Sequence, residues 1–257
     1  MPEVAGPPGH GAGSEPDLYS PFLRARFEAS LGASQGLRSE VIRRVEEAAG
    51  LPRPGTSGAA NAFVILVGSE FGVAVPSDRP GYHDVDGAAD LWNLRVGQPN
   101  PHFDAKWDAA RRETRLWHRL HPWLIDAFDG DQAIAHSMFC WANLSVTTGG
   151  GDLGTEGSHR RGMAQHVGPL AEASHCRILA TTDLPTQRAV GEWALVRDAS
   201  RMVVPLSAEE LEVLVVPSGA APILVGRVGH PSRGVSRVAF VERLQALLRL
   251  AEETAGA

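Results

Sequence analysis

"AFVILVG", residues 62–68, decides the fold. The run is apolar throughout, with no polar residue every second position. It is short, rich in β-branched and aromatic side chains, and bounded by turn signals: the loop "LPRPGTSGAAN" (51–61) before it and Ser69-Glu70-Phe71-Gly72 after it. A strand that is apolar on both faces belongs inside a sheet covered by helices on both sides, which is the environment of parallel strands.

Four further segments read as strands. They are "HSMFCWANLSV" (136–146), Arg177 to Thr181, "LEVLVV" (211–216) and "PILVGRV" (222–228). Helical patterns lie around them. Ser20-Pro21 caps a helix carrying Leu23, Phe27 and Leu31, and Ser39 to Ala49 ends at Gly50. Asp104 to Leu120 breaks at His121-Pro122, and a short helix runs from Pro122 to Phe128. Arg161 to Ala173 is interrupted at Gly168-Pro169, and Thr186 to Leu195 follows. Ser207 to Glu210 has capping-box spacing before a helical turn. The last helix, Ser236 to Ala251, places Val238, Val241, Leu244, Leu248 and Ala251 on one side. Strands alternating with helices predict an α/β fold, a three-layer α/β/α sandwich with a short, mainly parallel central sheet. Residues 1–18, rich in Gly and Pro, read as a disordered lead-in to a single domain spanning 19–257.

Composition narrows the classes. With 257 residues, 43% hydrophobic and 21% charged, the chain resembles an ordinary soluble domain. No window approaches the roughly 18 uninterrupted apolar residues of a membrane span. The first residues lack a basic segment followed by an apolar one, so a cytoplasmic protein is expected. Cys140 and Cys176 then read as reduced thiols, too few to ligate a four-cysteine iron–sulfur cluster. No cofactor is expected, and a monomer is. The formal net charge of −6 argues against a broad nucleic-acid-binding face but leaves room for a local basic groove. Positive charge is almost all arginine, since Lys106 is the only lysine. With that one lysine placed elsewhere, there is no Gly-x-x-x-x-Gly-Lys phosphate loop.

In open α/β sheets, ligands bind beyond the carboxyl ends of the strands. Three such ends carry chemistry. Glu70 follows the first strand, where a half-desolvated carboxylate can position water, act as a base or face a developing cation. Asn143 closes the second; its amide offers a donor and an acceptor to a nucleobase edge. His230-Pro231-Ser232-Arg233 follows the last, an imidazole on a loop stiffened by proline, next to a hydroxyl and a guanidinium suited to phosphate. Each has a plainer reading. Glu70 could be a solvated loop residue, Asn143 could satisfy a neighbouring backbone, and His230 could bond a carbonyl.

Taken in order, "FVILVGSEFG", "FCWANLSVTTG" and "VGHPSRG" resemble the three motifs of the uracil-DNA glycosylase superfamily, and "MAQHVGPLAEASHC" is similar to a helix that many members place between the last two. The likeness runs from about Ala62 to the C-terminus, with Phe71 standing where many members have proline. It implies a DNA partner and hydrolysis of the N-glycosidic bond of uracil or another deaminated base flipped from DNA. By that resemblance His230 bonds the base oxygen, Glu70 positions water, and Asn143 reads the base edge. Phe71 or Tyr82 stacks on the base, and Ser232 and Arg233 hold flanking phosphates. Two other readings stay open. One is a catalytically inactive nucleobase- or nucleotide-binding module of the same fold. The other is a metal site from His159, His166, His175 and Cys176, whose spacing matches no zinc signature.

Overall fold

A computed structural model of the chain describes residues 56–58, 63–69, 71–73, 115–144, 148–149, 156–174, 176–219 and 221–255. Glu70, Tyr82, the lead-in and the helices read over 21–31 and 39–49 lie outside the described residues.

The apolar run is the strand β2 (Val64–Gly68), buried along its whole length. Its side chains alternate between two cores. Val64 and Leu66 enter one hydrophobic cluster, while Ile65 and Val67 enter the other. This alternation explains why no polar position could be spared: each face of the strand meets a separate apolar layer. Two parallel neighbours flank β2. On one side β4 (Phe139–Asn143) pairs Val64 with Phe139 and Gly68 with Asn143; on the other β6 (Ile178–Thr181) pairs Val64 with Ile178 and Val67 with Thr181. Beyond β6 lies β9 (Ile223–Arg227), also parallel.

The α/β class holds, but the sheet is mixed rather than mainly parallel. Its order is β1-β4-β2-β6-β9-β8-β7, and β1 (Thr56–Gly58) runs antiparallel to β4. At the other edge β8 (Glu210–Val216) runs antiparallel to both β9 and β7 (Ser200–Pro205). The cause is connection length. A parallel crossover needs about a dozen residues or more, and only residues 217–222 join β8 to β9 and 206–209 join β7 to β8. Ser207 to Glu210 is therefore a hairpin turn, closed by Leu206 N–H donating to the Glu209 carbonyl at 2.9 Å, and not the start of a helix. A separate two-stranded sheet pairs β3 (Phe71–Val73) with β5 (Thr148–Gly149).

Helices stand against both faces. The cluster around Val64 and Leu66 takes Leu120, Trp123 and Leu124 from α1 (Arg115–Ala127), Ile134 and Ala135 from α2 (Gln132–Met138), and Phe240, Leu244, Leu247 and Leu248 from α6 (Arg237–Glu253). The cluster around Ile65 and Val67 takes Met163, Val167 and Leu170 from a helical stretch over 156–173, and Ala189, Val190 and Trp193 from α5 (Leu184–Leu195). Cys140 and Cys176 are buried in this second cluster.

Several local readings change. Pro122 does not end a helix but sits inside α1. An interior proline costs about 3 kcal/mol. Leu120 and Leu124 are buried on either side of it, and burial of such side chains contributes about 1.5–3 kcal/mol each, so packing offsets the penalty. His136 to Met138 is helical rather than extended, because Asp131 caps α2 by accepting from Ile134 N–H at 2.9 Å. Gly168-Pro169 does not interrupt the helical stretch. It runs as α3 (Glu156–Gly162), a π-turn (Met163–Val167) and α4 (Gly168–Ala173), with Gly168 N–H reaching back to the Met163 carbonyl. Val238 faces away from the core with 76% of its surface exposed, and Phe240 and Leu247 take the buried side of α6. Among the described residues no helix is long and apolar enough to cross a membrane.

Gly162 brings α3 against the end of β4: a Cβ built there would lie 1.6 Å from the Leu144 carbonyl oxygen. Backbone cannot yield as a side-chain tip can. Gly162→Ala is expected to lower unfolding stability by about 1–3 kcal/mol, read by denaturant titration. A variant as stable as the parent would contradict this close approach.

Candidate functional site

The strand order dictates where a ligand can sit. From β2 the chain crosses to β4 on one side; after β6, on the other side, it moves away to β9. The connections thus diverge between the carboxyl ends of β2 and β6, leaving the crevice typical of a topological switch point. Ser69 follows β2 and Asp183 follows β6. Their side chains meet across the crevice, with Ser69 Oγ donating to Asp183 Oδ2 at 3.0 Å.

Asp183 is placed by its own helix. It is the N-cap of α5, and its Oδ1 accepts from Thr186 N–H at 2.9 Å and from Thr186 Oγ at 2.7 Å. The Thr186 hydroxyl oxygen accepts in return from Asp183 N–H at 3.1 Å, completing a capping box. One residue earlier, Thr182 ties β6 to β2. Its N–H and its hydroxyl both donate to the Val67 carbonyl at 3.1 Å.

The His230 loop is built with equal economy. Val228 N–H donates to the Thr181 carbonyl at 3.0 Å, prolonging the pairing of β9 with β6. Gly229 then takes φ +94°, and a Cβ there would crowd Val235 at 3.0 Å and the Arg243 guanidinium at 3.1 Å. Only glycine suits both the left-handed backbone and the space. The chain folds back at once, with Arg233 N–H donating to the His230 carbonyl at 2.9 Å. Arg119, from α1, holds the loop from outside by donating to the Pro231 carbonyl at 3.2 Å.

The protonation pattern of His230 follows from its partners. Ser232 N–H donates to Nδ1 at 3.2 Å. A backbone N–H can only donate, so Nδ1 carries the lone pair, and the Ser232 hydroxyl 2.9 Å away also donates to it. The ring proton of the neutral imidazole is therefore on Nε2. Burial holds the His230 pKa below its usual 6.5, the Arg233 charge adds to the effect, and the Asp183 charge opposes it. The ring also meets Trp141 edge-on, with centroids 6.4 Å apart. Trp141 belongs to β4, so His230 leans from the end of β9 towards the far side of the crevice. Asn143 is the last residue of the same strand.

His230, Ser232 and the end of β4 at Asn143 thus gather at one edge of the sheet. Phe71 opens β3, paired with Thr148. The Ser232 hydroxyl is engaged by His230, and Arg233 is exposed beside it. Ser69, Asp183 and Arg119 are site residues that the sequence did not single out. Asp183-Leu-Pro-Thr carries a helix-start signal that could have marked Asp183. No local pattern links Arg119 to a loop 112 residues away. The sequence read as lacking a Gly-x-Gly-x-x-Gly fingerprint, yet that spacing is present once. Gly149, Gly151 and Gly154 have Gly-x-Gly-x-x-Gly spacing between β4 and α3, though 150–155 lie outside the described residues. Of the histidines considered for metal, His159 is buried on α3 with no hydrogen-bond partner for Nε2. Among the described residues no group of three His, Cys, Asp or Glu side chains is placed to hold a metal ion.

No protein-family model matches this chain, and no curated protein matches it.

His230 is expected to titrate below pH 6.5 with a pyridine-like Nδ1 in the neutral form, read by nitrogen-edited NMR. Between its folded pKa and 6.5 the unfolded chain binds more protons than the native one, so stability contributed above pH 6.5 declines as pH falls through that window. A midpoint at or above 6.5 would refute the buried, neutral ring.

Proposed function

We propose that the protein is a DNA glycosylase-like hydrolase, acting on uracil or another deaminated base flipped from DNA. The observation that supports this reading is the Ser232 N–H donating to His230 Nδ1, which leaves the proton of a neutral ring on Nε2 at the end of β9. In the proposed reaction the bond between the base nitrogen and the sugar C1′ breaks, and its electron pair leaves with the base. Negative charge gathers on the base oxygen, where the Nε2–H bonds it. A neutral donor suits this task because its position is set before charge appears, so little reorganisation is needed. Positive charge develops on the sugar. Glu70 positions the water that adds to C1′ and takes its proton, Asn143 reads the base edge, and Phe71 or Tyr82 stacks on the base. Ser232 and Arg233 hold the flanking phosphates. Arg233 offers its guanidinium, while Ser232 must turn the hydroxyl proton it gives to His230 towards the phosphate oxygen. The finer architecture belongs to the same proposal: a three-layer sandwich of the glycosylase superfamily, acting as a monomer in the cytoplasm.

A second reading is a nucleotide-binding module without hydrolysis. The acidic balance of the chain and Phe71 in the first motif favour it.

Single-turnover assays on uracil-containing single- and double-stranded DNA separate the two. Base release is expected from the parent protein, and His230→Ala is expected to slow it by about 10²–10³-fold, with Glu70→Gln also strongly impaired. Nucleotide or abasic-DNA binding without any base release would favour the binding module, and undiminished release by both variants would show that the site lies elsewhere.

A further inference from the structure

We propose that Asp183 is a positioning residue of this site, acting through Ser69 to fix the turn by which the chain leaves β2. The inference rests on the glycosylase reading for its functional consequence, since Glu70 is the next residue after Ser69. The geometry divides the carboxylate into two parts. Oδ1 alone satisfies the α5 cap, taking both Thr186 donors. Oδ2 is not needed for the cap and instead receives the Ser69 hydroxyl across the crevice. Both residues are part-buried at the end of the sheet, where water can still reach them. The bond therefore contributes direction more than stability, a pattern that suits positioning better than holding the fold together.

The anchor is rigid on the β6 side. The capping box fixes the rotamer of Asp183, and the Thr182 bonds to Val67 fix the strand that carries it. On the β2 side, Gly68 N–H and carbonyl lie in the sheet: the Leu144 N–H donates to the Gly68 carbonyl at 2.9 Å. Ser69 is thus the first residue beyond the ladder, and its hydroxyl ties it to Asp183 at the end of the neighbouring strand. Asp183 also lies close enough to oppose the other influences on His230, so one carboxylate relates both ends of the proposed reaction centre.

The test uses variants that separate capping from positioning. Ser69→Ala leaves the cap intact, and Asp183→Asn keeps a residue that caps as well as aspartate. In the full chain, Ser69→Ala is expected to lower kcat for base release by about 10- to 100-fold, with KM and Tm nearly unchanged, and Ser69→Thr is expected to restore it. Asp183→Asn should also lower kcat, and the double variant should lose little more than the worse single one, as for residues acting as a unit. Parent-like kcat in Ser69→Ala, or losses that multiply in the double variant, would overturn the inference. If the parent protein releases no base, the glycosylase reading fails by itself. Amide exchange then decides the positioning claim: faster exchange at Phe71 in Ser69→Ala supports it, and unchanged exchange overturns it.

Discussion

The parallel pairing of β2 with β6 is the constraint on which the site depends. β2 is flanked on both edges and buried on both faces, so its register is fixed by two ladders and two cores together. A shift of one residue would exchange Val64 and Leu66 with Ile65 and Val67 and also misalign both ladders. Thr182 reinforces the last step, placing two donors on one Val67 carbonyl. Everything beyond that carbonyl inherits its position: Ser69 on one side, Asp183 and the α5 cap on the other.

The His230 loop solves a different problem. An imidazole at the edge of a sheet would ordinarily be solvated and half-protonated near neutral pH. Here burial disfavours the charged form, Arg233 works in the same direction, and Asp183 works against both. The first influence is the largest, so the net effect keeps the ring's pKa below its usual value. The backbone N–H of Ser232 then selects the tautomer, so the donor is set by main-chain geometry and not by a side chain that could rotate away. Arg119 and Gly229 have supporting roles: one clamps the Pro231 carbonyl, and the other lets the chain turn tightly enough for Ser232 to reach the ring.

What was legible in the sequence follows from the range of the forces involved. Continuous apolar runs marked β2 and β9, because burial on both faces leaves a local imprint, and the Leu-rich, Val-rich run of β8 marked a strand whose first half alternates exposed and buried positions. Ser236 marked the start of α6 for the same kind of reason: its hydroxyl accepts from Ala239 N–H only three residues away. The mixed character of the sheet was present in the spacing, since a six-residue link cannot cross over, but apolarity alone does not distinguish a buried antiparallel strand from a parallel one. Pro122 misled because local propensity was outweighed by burial on both sides of it. In the site, the His-Pro-Ser-Arg loop stood out because its residues are contiguous. The bond between Ser69 and Asp183 spans 114 positions, and no sequence pattern encodes it.

The acidic composition and a nucleic-acid partner are compatible when charge is considered locally. Arg160, Arg197, Arg201, Arg237 and Arg243 each sit against a carboxylate. Such exposed pairs add little to stability, but they do cancel charge. Among the described residues Arg119 and Arg233 form no ion pair; Arg233 lies in the His230 turn, and Arg119 of α1 bonds that turn at the Pro231 carbonyl. At physiological salt, fields from charges more than about 8 Å away are largely screened, so a strand lying on this turn would respond to these two guanidiniums more than to the net charge of −6. On the other side of the crevice, Asp183 fills the α5 N-terminus with its own carboxylate, occupying the place where a helix dipole would otherwise welcome an anion. The site is thereby polarised. Cationic groups stand beside β9 and an anionic one beside β2 and β6.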